Sequence, residues 1–166
     1  MKYGEMFSSD DIIRLGKLLQ DITTDLRNFE SKFSTKIELI YNFYTNHWVI
    51  EHNLSLVTRS LKCNISEYYL DDGIWRMEYM PGLYPYVIGD HMFILECSKP
   101  IPKYDEFIMT SLIQSKKGLE ITNGKLSNIK FMENAPDSII LLEKKKLEDF
   151  GFKWELWTKA YLLFEI

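Results

Sequence analysis

Apolar residues recur along this chain at two periods, and the switches between them mark the expected elements. From Ile12 the apolar positions run Ile12, Leu15, Leu19, Ile22, Leu26, Phe29 and Phe33. Steps of three and four place them in one stripe along a helix. Ser8 or Ser9 can cap that helix, and Asp10 and Asp11 sit in its first turn, near the positive end of the helix dipole. The stripe supports either a coiled-coil dimer contact or a long helix laid across a sheet. The short repeat and Gly16 favour the second.

Beyond the helix the period drops to two. Ile37, Leu39, Tyr41 and Phe43 alternate with polar residues, and Trp48, Ile50, Leu54 and Leu56 alternate with Glu51, Asn53 and Ser55. A turn at Asn46-His47 makes these one hairpin, with Phe43 opposite Ile50, Tyr41 opposite His52 and Leu39 opposite Leu54. A second hairpin turns at Asp72-Gly73. A third turns at Gly89-Asp90, where glycine in the first central position suits a type II′ turn. Its strands, Tyr84–Ile88 and His91–Glu96, are apolar on both faces, which predicts a central place in the sheet.

Pro100-Ile101-Pro102 ends the sheet run, and a helix is expected from Asp105 to Lys117, stopped by Gly118. Asn123-Gly124 then reads as a hairpin turn, and a shift of parity at Ile129 and Phe131 reads as a bulge. Pro136 and Asp137 open a helix over Ser138–Phe150, with Gly151 as its stop. In the closing stretch, Phe152–Ile166, seven of the eight even positions are apolar, which predicts a strand. At roughly 3.3 Å per residue it would reach about 50 Å, so a bend near Thr158-Lys159 is expected. The sum is an α+β fold: a mostly antiparallel β-meander sheet with a long N-terminal helix and two further helices packed on it.

At 166 residues the chain is expected to be a single domain, 1–166. The net charge of −4 argues against nucleic acid as a partner and leaves room for a basic protein. Cys63 and Cys97 have no Cys-x-x-Cys pairing, which points to a reducing compartment. The N-terminus lacks a signal-peptide pattern, and no run approaches 18 apolar residues. A cytoplasmic protein with no membrane contact is expected.

The chemistry-bearing patterns are few. His47-Trp48-Val49-Ile50-Glu51-His52 has one residue too many for an H-x-x-E-H zinc motif. Residues five apart lie about 140° apart on a helix and on opposite faces of a strand, so no metal is expected there. His52 falls on the apolar face opposite Tyr41, which makes this pair the candidate pocket; the plainer reading is a core histidine. Asp90-His91 is read through its turn. Glu96 beside Cys97 disfavours a reactive thiol. Lys144-Lys145-Lys146 lies among Glu143, Glu148 and Asp149 and reads as a solvated helix face. No phosphate loop or nucleophile elbow is present, so no catalytic residue and no cofactor are assigned. The proline-interrupted aromatic segment with Tyr79, Tyr84 and Tyr86, beside Glu67, Asp71 and Asp72, is the candidate partner surface: rigid tyrosines with an acidic flank.

From Gly89-Asp90-His91 through Lys99-Pro100-Ile101-Pro102, the helix Asp105–Ser115, Ile129-Lys130-Phe131-Met132 and Leu141-Leu142-Glu143 to Gly151, the segment order resembles part of a suppressor-of-fused-like domain. That family includes bacterial immunity proteins, which neutralise a toxin by binding it. The resemblance implies no catalytic residues. The sequence therefore predicts a non-enzymatic protein-binding module, an immunity or inhibitor protein acting on a basic toxin domain. The alternatives are a small-molecule binder or enzyme with a pocket near Tyr41 and His52, and a structural dimer formed through Ile12–Phe33.

Overall fold

The computed structural model describes residues 9–44, 48–65 and 82–165. In chain order the elements are α1 (Ser9–Phe33), β1 (Ile37–Tyr44), α2 (Trp48–Leu61), β2 (Asn64–Ile65), β3 (Leu83–Ile88), β4 (His91–Cys97), α3 (Tyr104–Leu126), α4 (Ile129–Asn134) and α5 (Asp137–Glu165). The class is α+β with a long N-terminal helix, as the periodicity predicted.

The stripe on α1 faces the chain's own core. Leu19, Ile22, Leu26 and Phe29 are buried, while Leu15 and Phe33 pack against them from the rim. Only the first turn stands clear, with Ile12 61% exposed. Ser34 ends the helix at φ +50°, and the Glu30 carboxylate accepts from the Ile37 amide at 2.9 Å. One glutamate thus joins the helix end to the first strand.

The sheet is mixed and is not a meander. Its order is β2-β1-β4-β3. β1 and β2 are parallel, while β1–β4 and β3–β4 are antiparallel. The expected hairpin after Ile37 fails because Trp48–Leu61 is a helix, which makes β1-α2-β2 a crossover between parallel strands. Leu54, Val57, Thr58 and Leu61 are buried at steps of three, one and three, a helical stripe. The alternation through Leu56 passed over Val57 and Leu61. The hairpin predicted at Asp72-Gly73 lies outside the described residues.

The hairpin at Gly89-Asp90 forms as expected. Ile88 pairs with His91 across a two-residue turn. Gly89 has φ +58° and Asp90 has no positive φ, as a type II′ turn requires. β4 is central, with His91 through Leu95 all buried. β3 instead borders the sheet among the described residues, and α5 packs alongside it.

The C-terminal third departs furthest from expectation. α3 runs through Gly118 and through Asn123-Gly124, so neither the helix stop nor the hairpin there exists. Residues Ile129–Asn134 form a short helix in place of a bulged strand. α5 continues through Gly151 and takes in the whole of the predicted closing strand up to Glu165. The buried set on this part of α5 is Leu156, Trp157 and Ala160, with Phe164 packed beside it, which is helical spacing. Trp157 and Tyr161, on the odd positions, made the other face of the expected strand less polar than a strict alternation allows. The stretch has few β-branched residues, Thr158 and Ile166, and three leucines, which suits a helix, while its five aromatics supplied the strand-like signal.

Gly118 serves packing. A Cβ there would lie 2.4 Å from the Phe150 ring, so the absent side chain is what lets α3 and α5 close on each other. At 1.5 Å per residue, the 23 residues of α3 and 29 of α5 make rods of about 34 and 43 Å. Tyr104, at the foot of α3, centres the core. Its ring lies 4.9 Å from Tyr84, 5.2 Å from Phe107, 5.5 Å from both Phe33 and Phe164, and 6.2 Å from Phe29. Its hydroxyl donates to the Pro85 carbonyl at 2.6 Å.

Candidate functional site

Two of the predicted partner tyrosines turn inward. Tyr84 is only 5% exposed, and its hydroxyl accepts from the Ile101 amide at 2.7 Å. Tyr86, two residues on and so on the same side of β3, is half-buried. Its ring meets Phe29 at 4.8 Å, Phe107 at 6.2 Å and Trp157 at 6.1 Å. Both therefore knit the sheet to the helices rather than project from it. Glu67, Asp71, Asp72 and Tyr79 lie outside the described residues.

The Tyr41–His52 pairing does not form. Tyr41 pairs with Ile94 of β4, and the backbone of His52 belongs to α2. The His52 side chain lies outside the described residues. Burial, with Glu96 adding to it, raises the Tyr41 phenol above its ordinary pKa. His91 is buried, with Nε2 2.9 Å from Asp90 Oδ1.

Cys97 pairs with Ile37 on one side of β1, and Cys63 precedes β2 on the other. With β1 between them, the two lie about two strand spacings apart, beyond disulfide reach. Burial, then the charge of Glu30, pushes the Cys63 thiol to about 11 and the Cys97 thiol to about 12. Both are poor nucleophiles, as the flanking Glu96 suggested.

A polar cleft that the sequence did not reveal opens between α1, the β3–β4 turn, α3 and α5. It holds about 250 Å³ and is lined by Asp25, Ser111, Ser115, Phe150, Lys153 and Trp157, among others. The Tyr86 hydroxyl donates to Asp25 Oδ1 at 3.2 Å. Burial raises the Asp25 pKa, and the Tyr86 hydrogen bond and the Lys153 charge oppose the rise. Ser111 donates to the Phe107 carbonyl at 2.9 Å and Ser115 to the Ser111 carbonyl at 2.8 Å. Their protons are held by the helix, so their oxygens act as acceptors. Asp25 stands one residue from Leu26 of the apolar stripe, and Ser111 and Ser115 are four apart. Those were the legible signals, but Lys153 joins them only once Phe152–Glu165 is recognised as helix.

Beyond this cleft α3, α4 and α5 continue as a helical hairpin. Thr122 and Glu143 are buried there among mostly exposed neighbours. Glu143 accepts from Lys146 at 3.2 Å and faces Lys125 at 3.6 Å. The Lys146 bond foremost, with Lys125 helping, holds its carboxyl below the usual range. Lys144 and Lys145 are exposed, matching the solvated face expected of them. Several apolar side chains on these helices are exposed: Ile113, Ile121, Ile129, Ile139, Leu141 and Leu142, Ile129 by 72% and Leu141 by 70%. Among the described residues, nine of the twelve exposed large apolar side chains lie on α3, α4 or α5.

Among the described residues, no helix is long and apolar enough to cross a membrane. No protein-family model matches the sequence, and no curated protein matches it.

Proposed function

We propose that this chain is a non-enzymatic protein-binding module, and specifically an immunity or inhibitor protein that neutralises a toxin by direct contact in the cytoplasm. The observation that carries the reading is the set of exposed apolar side chains on α3, α4 and α5, above all Ile129 and Leu141. Burying such side chains yields about 1.5–3 kcal/mol each, enough for a few of them to anchor a complex. The hairpin contact takes the place of Tyr84 and Tyr86, which are held in the core. The net charge of −4 favours a basic toxin domain. The resemblance of residues 89–151 to suppressor-of-fused-like domains belongs to the same proposal, although the Ile129–Met132 segment is helical and α5 runs past Gly151. A dimer through Ile12–Phe33 has less behind it, because Leu19, Ile22, Leu26 and Phe29 are spent on the chain's own core.

Affinity capture from the native host tests this reading. The wild type retains a partner that is toxic when expressed alone and harmless when co-expressed with this chain. The double variant Ile129→Glu/Leu141→Glu loses it. Absence of such a partner, or its equal retention by the variant, overturns the reading.

A further inference from the structure

The cleft at Asp25 is lined by residues other than the exposed apolar side chains of the hairpin, and its lining has a chemistry of its own. Asp25 comes from α1 and Lys153 from α5, so the two walls carry opposite charges. Among the described residues the direct ion pairs between lysines and carboxylates are Lys125–Glu143 and Lys146–Glu143, which leaves Asp25 and Lys153 facing the same space without meeting. A carboxylate has about four acceptor positions, of which the Tyr86 hydroxyl takes one. Ser111 and Ser115 add acceptor oxygens, since both hydroxyl protons go to helix carbonyls. Phe150 and Trp157 supply apolar wall.

An anion on the α1 wall and a cation on the α5 wall suit a molecule that carries an ammonium and a carboxylate. The ammonium has three protons for Asp25 and the serines, and the carboxylate answers Lys153. Size limits the choice. The cleft holds about 250 Å³. At roughly 30 Å³ per water that is room for about eight waters, the scale of a small amino acid. We propose that this cleft binds a small zwitterion, an α- or ω-amino acid, clamped between Asp25 and Lys153.

Calorimetric titration of the full chain tests the proposal, with glycine, β-alanine and γ-aminobutyrate as ligands and acetate and ethylammonium as singly charged controls. One of the amino acids binds saturably at one site per chain, and both controls bind at least about tenfold more weakly. Asp25→Asn and Lys153→Met each weaken that binding about tenfold or more, the scale of one lost charged hydrogen bond. Far-UV circular dichroism shows whether each variant is folded. If Asp25→Asn is not, Lys153→Met decides, because Lys153 is half-buried and has no direct ion pair to break. No binding of any amino acid up to roughly 10 mM overturns the proposal, as does binding that survives a folded charge-removing variant or that the controls match.

Discussion

The Tyr86 hydroxyl donates to the Asp25 carboxylate over 3.2 Å, fastening β3 to α1 on the wall of a polar cleft. Burial makes this carboxylate harder to ionise in the folded chain than in the unfolded one. A carboxyl whose folded pKa is raised contributes stability below its unfolded pKa and loses it as pH rises through the folded value. Asp25→Asn removes the titration and leaves an acceptor for Tyr86. Thermal melts should therefore show the variant more stable than wild type at neutral pH, with the gap closing toward about pH 4. A gap that does not change with pH contradicts the assignment.

Gly118→Ala tests the helix seam. The added Cβ meets the Phe150 ring at 2.4 Å. Overpacking costs about 1–3 kcal/mol, which outweighs the roughly 1 kcal/mol that alanine gains over glycine inside a helix. The melting temperature should fall by about 2–4 °C for each net kcal/mol lost. Phe150→Leu in the same chain should restore most of the loss, and additive effects of the two changes would argue against the contact.

Gly118 also shows where the sequence misleads. A glycine after two lysines looks like a helix end, and Asn123-Gly124 looks like a turn. Both patterns describe local preference, and the long-range packing of α3 on α5 overrides it. The same holds at Phe152–Glu165, where an alternating pattern coexisted with a helical one in Leu156, Trp157, Ala160 and Phe164. Only the burial of the second set distinguishes them. The α1 stripe and the Gly89-Asp90 turn were legible because each element rests on one local rule, the helical period in the first and the turn glycine in the second. The cleft was hidden because its charges come from helices 128 residues apart in sequence, Asp25 and Lys153.

Tyr104 is the central anchor of the core, 1% exposed and bonded to the Pro85 carbonyl. Tyr104→Phe keeps the ring contacts and removes the donor. The expected loss is about 1–3 kcal/mol, because a buried carbonyl forfeits its partner. Urea unfolding should show a lower midpoint with an unchanged slope. An unchanged midpoint would mean that the bond carries no net stability.

Both thiols should be slow to alkylate. With pKa values pushed to about 11 at Cys63 and about 12 at Cys97, little thiolate exists at pH values where iodoacetamide is normally used. Mass spectrometry should find both residues labelled much faster in denaturant than in the native chain, and no Cys63–Cys97 disulfide after mild oxidation. Rapid native labelling of either residue would contradict the burial assigned to it.

The central claim is that the hairpin's open apolar side chains carry a protein contact. The direct measurement is the affinity of the captured partner for wild type and for Ile129→Glu/Leu141→Glu, with circular dichroism confirming that both are folded. Anchor residues of an interface cost about 2 kcal/mol or more when lost, so the variant should bind at least about thirtyfold more weakly. Equal affinity of the two folded proteins would place the contact elsewhere and contradict the account.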